Sequence, residues 1–331
     1  MVRLSKGIFS IVLLSLFLFS SVEAQSIPGI QEPITVQARP QFPKPNTTVT
    51  VTAQSFSTDL DRAGFTWMVN GTVFKKGTGI KEISVPSGKA GVLTTVSVSI
   101  DTTDIGAIMN DVSWRPAGVT LLWQSDGYTP PFYRGKALES YGASFKVVAI
   151  PEFLNSNGKR VDPKTLIYTW KKNGATDGAS SGYGRDSFKT SQESFVRGGD
   201  DISVEVSDSD RTIGAVGTIT LFPTIPEIVL YENSPLYGII YEKALGESLS
   251  LISEEITLRV EPFNISLINS SLGALSFDWT INEVSAISFQ NRNEITLRKS
   301  GSGGGESIIG VLIQHKDKIL QGGQTSITIF Q

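Results

Sequence analysis

The chain carries one histidine, His315 in the run VLIQHKDK, and no cysteine. These two side chains have unperturbed pKa values nearest neutrality, which suits them to acid–base and nucleophilic work. With so few of them, the sequence holds no thiol nucleophile, no histidine pair and no thiolate set with the spacing of a metal site. His315 falls near what reads as the tip of the last hairpin and is expected to be a solvated loop residue. Several stretches imitate reactive motifs. GASSG (178–182) has the spacing of a hydrolase nucleophile elbow around Ser180, but that elbow needs a strand-to-helix corner and a partner histidine. Ser180 instead follows an antiparallel strand in a Gly-Ser-Asp loop. GSGGGE (301–306) has the glycine content of a phosphate-cradling loop without its Lys-Ser/Thr ending or its helix, and reads as a hairpin connection. The turns DTTDIG (101–106) and SDSDR (207–211) offer carboxylates to calcium, which takes about six to eight oxygens. They occupy matching hairpins, where the third copy of the pattern described below has HKDK, so solvated turns are expected. Acids are numerous enough for paired-carboxylate hydrolysis, yet nothing in the sequence sets two of them together. The expectation is a protein with no enzymatic activity, cofactor or metal.

Aromatic side chains are the other candidates for a site. Trp123, Tyr128, Phe132 and Tyr133 crowd the stretch LLWQSDGYTPPFYRGKAL (121–138). Part of it, YTPPFYRGKAL (128–138), is echoed by PLYGIIYEKAL (235–245), so that Leu138 and Leu245 stand one small β domain apart. Flat rings make a platform for sugar rings or a peptide. The same rings and prolines also make a cover for the end of a domain, since proline limits the backbone and denies an exposed edge further pairing. The echo exchanges Pro-Pro-Phe for Gly-Ile-Ile, keeping bulk and losing flat rings, so packing is the expectation and the platform the alternative. The first copy crosses the same interval with only QFPKPN (41–46). The long segment thus occurs only where a copy has a neighbour before it. It is expected to cover the end of its own copy and stiffen that junction, through Tyr128, Pro130, Pro131, Phe132 and Tyr133 in one copy and Tyr237, Ile239, Ile240 and Tyr241 in the next.

The elements that must carry these residues are short strands repeated three times. FTWMVNG (65–71), YTWKKNG (168–174) and FDWTINE (277–283) share a pattern, which sets Trp67, Trp170 and Trp279 at nearly even intervals. Residues i and i+2 of a strand face the same way, so Phe65 with Trp67, Tyr168 with Trp170 and Phe277 with Trp279 should send paired rings inward. At a near-constant distance after each tryptophan comes an alternating strand, with Val96, Val98 and Ile100, then Ile202, Val204 and Val206, then Ile309, Val311 and Ile313. Each copy closes on a hairpin and a last strand, at NDVSWRP, GTITLFP and TSITIFQ. Before each tryptophan lie TVTVTAQSF (48–56), SFKVVAIPEF (144–153) and EITLRVEPF (255–263), and before those ITVQARP (34–40), VTLLWQS (119–125) and IVLYEN (228–233). Pro40, Pro151 and Pro262 recur at equal intervals and suggest another register, which would leave the alternating run Val49, Val51, Ala53 without a counterpart. Gly, Pro, Ser, Thr and Asn interrupt almost every window of a dozen residues, so helices are not expected.

The segment 1–24 places Arg3 and Lys6 ahead of an apolar run (8–19) and ends on Val22-Glu23-Ala24, the pattern of a secretory signal peptide, with an uncleaved N-terminal anchor as the alternative that the shortness of the run disfavours. No cysteine is present for lipid attachment or a disulfide, so each unit of an exported chain must rest on core burial. N-x-S/T sequons stand at Asn46, Asn70, Asn264 and Asn269 and matter only in a host that glycosylates them. Removing the signal takes the net charge from −3 to about −4, which speaks against nucleic acid or an anionic membrane as partner. The fold expected is all-β: three tandem immunoglobulin-like antiparallel β-sandwiches spanning 25–116, 117–225 and 226–331 after a signal peptide at 1–24. On its repeated Trp motifs the chain resembles bacterial extracellular arrays of immunoglobulin-like and polycystic-kidney-disease-type domains. With LLWQSDGYTPPFYRGKAL, SGYGRDSF and SPLYGIIYEKAL added, it is similar to secreted proteins of very small, host-dependent candidate-phyla bacteria. Two features depart from these families. No cysteine pair flanks a tryptophan, and WMVNG, WKKNG and WTINE replace the W-D-F-G-D-G run of the kidney-disease repeats. The resemblance implies an extracellular location, secreted or at the cell surface, and brings no activity with it to assign. The function expected is an exported structural or interaction protein partnered by a surface or envelope protein or by a glycan, with no membrane span once the signal is removed. The alternative is carbohydrate or peptide binding on the junction aromatics.

Overall fold

The structure, a computed structural model, describes residues 34–191, 198–267, 271–299 and 304–331. The expected signal, the Asn269 sequon and the start of GSGGGE lie outside the described residues. The first repeat contains β1 (Thr35–Arg39), β2 (Thr48–Gln54), β3 (Gly64–Val69), β4 (Thr72–Thr78), β5 (Glu82–Pro86), β6 (Thr94–Thr102) and β7 (Gly106–Trp114). The second contains β8 (Gly118–Ser125), β9 (Ser144–Glu152), β10 (Ile167–Lys172), β11 (Ala175–Thr176), β12 (Gly182–Tyr183), β13 (Ser187–Ser191), β14 (Asp200–Ser207) and β15 (Gly214–Leu221). The third contains β16 (Glu227–Ser234), β17 (Gly238–Ile239), β18 (Ser248–Ser250), β19 (Glu255–Phe263), β20 (Leu275–Ile281), β21 (Val284–Ser285), β22 (Glu294–Arg298), β23 (Glu306–His315) and β24 (Gly322–Phe330). The only helices among the described residues are single 3₁₀ turns.

One arrangement recurs. The sheets β1-β2-β5, β13-β9-β8 and β17-β16-β19-β22 face the sheets β4-β3-β6-β7, β11-β10-β14-β15 and β18-β24-β23-β20-β21, and a hydrophobic core lies between each facing pair. The short strand after each tryptophan strand stays on the tryptophan's own sheet. In the first repeat this gives a three-plus-four division where a constant-type immunoglobulin domain has four plus three; the second adds β12 beside β10, and the third adds β17 to one sheet and β18 to the other. All pairings between named strands are antiparallel except β18 on β24, where the doubled-back third repeat adds a parallel edge. Pro151 faces Val119 and Pro262 faces Ile228 in matching registers, while Pro40 lies outside β2, so the even proline spacing is not the structural register.

Each core is organised around its indole. Trp67 and Trp170 are 0% exposed and Trp279 is 1% exposed, with Phe65, Tyr168 and Phe277 buried beside them. A buried indole N–H must find an acceptor, and each donates over 2.8 Å to a carbonyl of the connection that follows it, at Ile80, Arg185 and Arg292. The strand then ends on an asparagine in the left-handed region: Asn70, Asn173 and Asn282 have φ of 48°, 51° and 49°. In each case the side-chain oxygen accepts the backbone N–H of the neighbouring strand, from Thr95, Asp201 and Ile308. The backbone N–H of the asparagine is returned to the Thr95, Asp201 and Ile308 carbonyls. Asparagine tolerates this conformation and clamps two strands at once, so the W-x-x-N spacing is a structural signature.

The lookalike motifs resolve into turns. Asp177 Oδ1 accepts the N–H groups of Ala179 and Ser180, and the Ser181 hydroxyl takes the Trp170 N–H, so GASSG is a capped loop. Asp208 closes its own turn by accepting from Ile213 N and Thr212 Oγ1. The described residues hold no group of three or more His, Cys, Asp or Glu placed to bind a metal.

Replacing Trp170 by Ala removes the central ring of the second core and an indole hydrogen bond. The expected cost is roughly 3–5 kcal/mol, read as an earlier transition of that core in a urea titration of the full chain. An unmoved transition would contradict the core assignment.

Candidate functional site at the second junction

The two junctions between cores are built differently. At the first, Phe42 from QFPKPN lies against Gly214, where an added Cβ would overlap its ring, and the Arg211 guanidinium sits 5.7 Å from the same ring. Ala117 N donates to Pro43 O, and Arg115 makes a lone parallel bridge to Ile213. The short crossing of the first copy thus supplies its own plug.

At the second junction both echoed turns meet. After β8 the chain runs beside the start of the third repeat: Tyr128 N donates to Ile265 O, Asn264 N donates to Tyr128 O, and Gly127 bridges Ser266 antiparallel. Gly127 allows this approach, since a Cβ there would sit 3.2 Å from both the Asn264 Cα and its carbonyl oxygen. Asn264 Oδ1 accepts the Leu138 N–H and its carbonyl accepts the Ser140 hydroxyl, so this sequon asparagine is committed to the joint. Ser266 Oγ donates to Asp126 Oδ1. The echo in the third repeat turns at 235–238 and doubles back along β16, with Ile240 N on Glu232 O and Leu245 N on Leu230 O. That return carries Tyr241 to the junction.

Beneath both turns lies one carboxylate. Glu261 of β19 is 0% exposed. Its Oε2 accepts the Tyr128 hydroxyl at 2.8 Å, and its Oε1 accepts the Tyr241 hydroxyl at 3.1 Å and Arg259 Nε at 2.9 Å. Arg259 also donates to Glu294 Oε1 at 3.1 Å, and Asn233 Nδ2 donates to the same oxygen. Burial, then the nearby carboxylate charge and its hydrogen bond, pushes the Tyr241 hydroxyl up to about 12; burial first, with the same carboxylate, pushes Tyr128 higher still. Both phenols therefore remain donors across the physiological range.

Above this network opens a cleft of about 840 Å³ lined by Pro131, Phe132, Tyr133, Tyr237, Tyr241 and Phe263, among others. Phe132 and Tyr241 have ring centroids 6.3 Å apart, and Tyr133 meets Phe263 edge-on at 5.3 Å. Phe132 is 90% exposed with φ of 65°, an uncommon conformation for a bulky residue and one that projects its ring at the lip.

The four residues of the expected aromatic patch are therefore divided. Phe132 and Tyr133 line the cleft, Tyr128 lies under it against the third core, and Trp123 stands apart on β8, packed at the edge of the second core with the Lys136 ammonium 3.5 Å from its ring centre. The echoed turns do not cover two separate ends. Both face the junction between the second and third repeats, because β16 gives the second turn an edge to return along. Glu261 and Arg259 escaped notice: in EITLRVEPF they occupy the alternate positions of a half-buried strand, which read as solvent-facing.

The expectation for His315 is also overturned. It is 6% exposed, and its Nδ1 accepts the N–H groups of Asp317 and Lys318, closing the hairpin that leads into β24. Gln321, at the end of that hairpin, reaches Tyr141 O of the second repeat and holds Ser266 through its backbone N–H and its hydroxyl. The histidine is thus a turn acceptor beside the joint.

The strand pairing defines an all-β chain of immunoglobulin-like sandwiches. No family model matches the sequence, and no curated protein matches it. Among solved structures, the chain is similar to the three N-terminal domains of the bacteriophage RB49 highly immunogenic outer capsid protein, at 12% identity, covering 89% of this chain and 98% of that one, with a TM-score of 0.27. It is also similar to the central fibronectin-III array of RIM-binding protein, at 10% identity, 89% and 95% coverage and a TM-score of 0.30. A third is a 1.5-MDa bacterial ice-binding adhesin, at 11% identity, 90% and 97% coverage and a TM-score of 0.22. At these scores the fold assignment stands on the strand pairing alone.

The joint can be probed at two residues. Glu261→Ala strips Arg259 and two phenols of their common acceptor and should cost about 3–5 kcal/mol, seen as a lower urea midpoint for the third repeat. Burial, then the Lys318 charge, holds the His315 imidazole below its ordinary 6.5, so the unfolded chain takes up the proton first as pH falls. Stability of the third repeat should therefore be full above 6.5 and fall on acidification below it, in melts repeated across pH. A His315→Gln variant should lose that part of the slope.

Proposed function

We propose that the chain is an exported, non-enzymatic structural and interaction protein, working outside the cell or at its surface. In this reading each core with its two sheets is one immunoglobulin-like domain, with bounds 25–116, 117–225 and 226–331, and the domains stand in series as a stiffened rod. The observation that carries it is the second joint. A buried carboxylate tied to tyrosines of two neighbouring repeats, with strand pairing beside it, resists bending in a way that a flexible linker does not. A rod of this kind holds a binding surface away from its attachment and suits adhesion or surface assembly, with an envelope or surface protein or a glycan as partner.

A second reading, ligand capture, is favoured by one observation, the ring of Phe132 held in a left-handed conformation above a cleft lined by further aromatics. Carbohydrate or peptide would be taken there by stacking, with Trp123 uninvolved.

Because the chain has no cysteine, paired spin labels can be placed cleanly at Lys146→Cys and Ser288→Cys. A narrow distance distribution that broadens in Glu261→Ala is expected from the rod, while a broad distribution in the otherwise unaltered chain would overturn it. In a glycan and cell-surface binding screen, loss of signal in Phe132→Ala but not in Trp123→Ala would mark the cleft as the binding surface.

A further inference from the structure

The core of the second repeat ends in charged side chains that neither the joint nor the cleft uses. Lys172 closes β10 and faces the same way as Trp170 two residues earlier, towards the core; Asp200 opens β14 and faces with Ile202. The two strands are neighbours, with Lys172 opposite Ile202, and Lys172 Nζ stands 2.9 Å from Asp200 Oδ2. The Asp200 side chain is 3% exposed and the Lys172 side chain 26%. Glu139, 1% exposed, comes from the segment between β8 and β9 and is close enough to feel both charges. Its carbonyl accepts the N–H and hydroxyl of Thr224, which anchors it. The Phe145 ring lies 6.0 Å from the ammonium.

The sister repeats show that the fold does not require this pair. At the same register the first repeat has Val69 and Thr94 and the third has Ile281 and Ser307. Burying an amine with a carboxylate is expensive, and replacing such a pair by apolar neighbours is often neutral or stabilising. Only the second repeat carries the cost.

We propose that Lys172 and Asp200 are a site of self-modification, in which the amine condenses with the Asp200 carboxyl carbon to form an amide while Glu139 carries the proton. The step balances within the cluster. Glu139 takes a proton from the ammonium, the freed nitrogen attacks Cγ, the new C–N bond forms, and Oδ2 departs as water on receiving protons from Glu139 and from the nitrogen. Three ammonium hydrogens end as one on the amide and two on water, the opposite charges cancel, and no oxidant or cofactor is needed. Asn173 Nδ2 donates to Asp200 Oδ1 at 2.9 Å, where negative charge develops during attack, and its own Oδ1 is fixed by Asp201 N. Lys172 Nζ also donates to Ser191 O at 3.0 Å, which aims the nitrogen. Burial, then the Asp200 charge, pushes the Glu139 carboxyl up to about 7, suited to giving and taking a proton near neutrality. Holding the two groups in contact supplies the high effective concentration that amide formation in water lacks. Its product removes two buried charges and closes the chain between 172 and 200. In a chain without disulfides that amide would be a covalent staple.

The test is the mass of the purified full chain, its N-terminus fixed by sequencing. The expected mass is one water below the sequence sum, with trypsin failing at Lys172 and yielding a branched peptide that joins Lys172 to Asp200. Lys172→Arg should restore the full mass and the linear peptides. A chain of full sequence mass, with an ordinary tryptic cut at Lys172, would overturn the proposal. Glu139→Gln is expected to leave the pair unjoined or to slow joining at least tenfold; joining at the unaltered rate would overturn the part given to Glu139. Neither outcome bears on the rigidity of the joint, so this inference and the proposed function fail separately.

Discussion

The second half of the molecule is organised by the cost of burying one negative charge. Glu261 has no exposed surface, and a carboxylate so placed is tolerated only when donors surround it. Arg259 supplies the opposite charge from two residues along the same strand, and Tyr128 and Tyr241 supply hydroxyls from two turns far apart in sequence. None of the four is satisfied in the same way without the others. The third core, the return of the chain along β16 and the docking of the second repeat are therefore tied together by a single electrostatic requirement. A chain that writes one aromatic turn twice has in this way built two walls of one cleft.

The junctions differ in kind. At the first, an aromatic ring is set against a glycine with a guanidinium beside it, and few backbone hydrogen bonds cross. At the second, backbone pairing, a buried carboxylate and the Gln321 side chain all cross between repeats. Hydrogen bonds are directional and a buried network loses much when one member leaves, so the contacts across the second junction constrain geometry more than a ring set on a glycine does. The cleft sits at the second of the two, walled by residues from both turns.

The three cores also show how far a repeat can drift. Indole, paired ring and asparagine clamp recur in place, because each answers a need that any such sandwich has: a large ring to fill the space between sheets, an acceptor for its N–H, and a residue able to turn left-handed at the strand's end. Positions at the rim of the core are freer. There the second repeat alone has exchanged an aliphatic residue and a hydroxyl for a lysine and an aspartate.

By itself the sequence determined five strands of each repeat, their order and the three indole cores, because alternation and the spacing of Trp67, Trp170 and Trp279 are local consequences of strand geometry and of what a core must contain, whereas β5, β13 and β22, which complete the facing sheets, went unread. It also exposed the repetition of the aromatic turn, though not its partner. Only the tertiary structure decided where the turns go, since that depends on which strand edge is open beside them, a long-range fact with no local signature. The same holds for Glu261 and His315: one occupies an outward position of a strand and the other a hairpin end, places that read as solvated in the sequence and are buried in the fold.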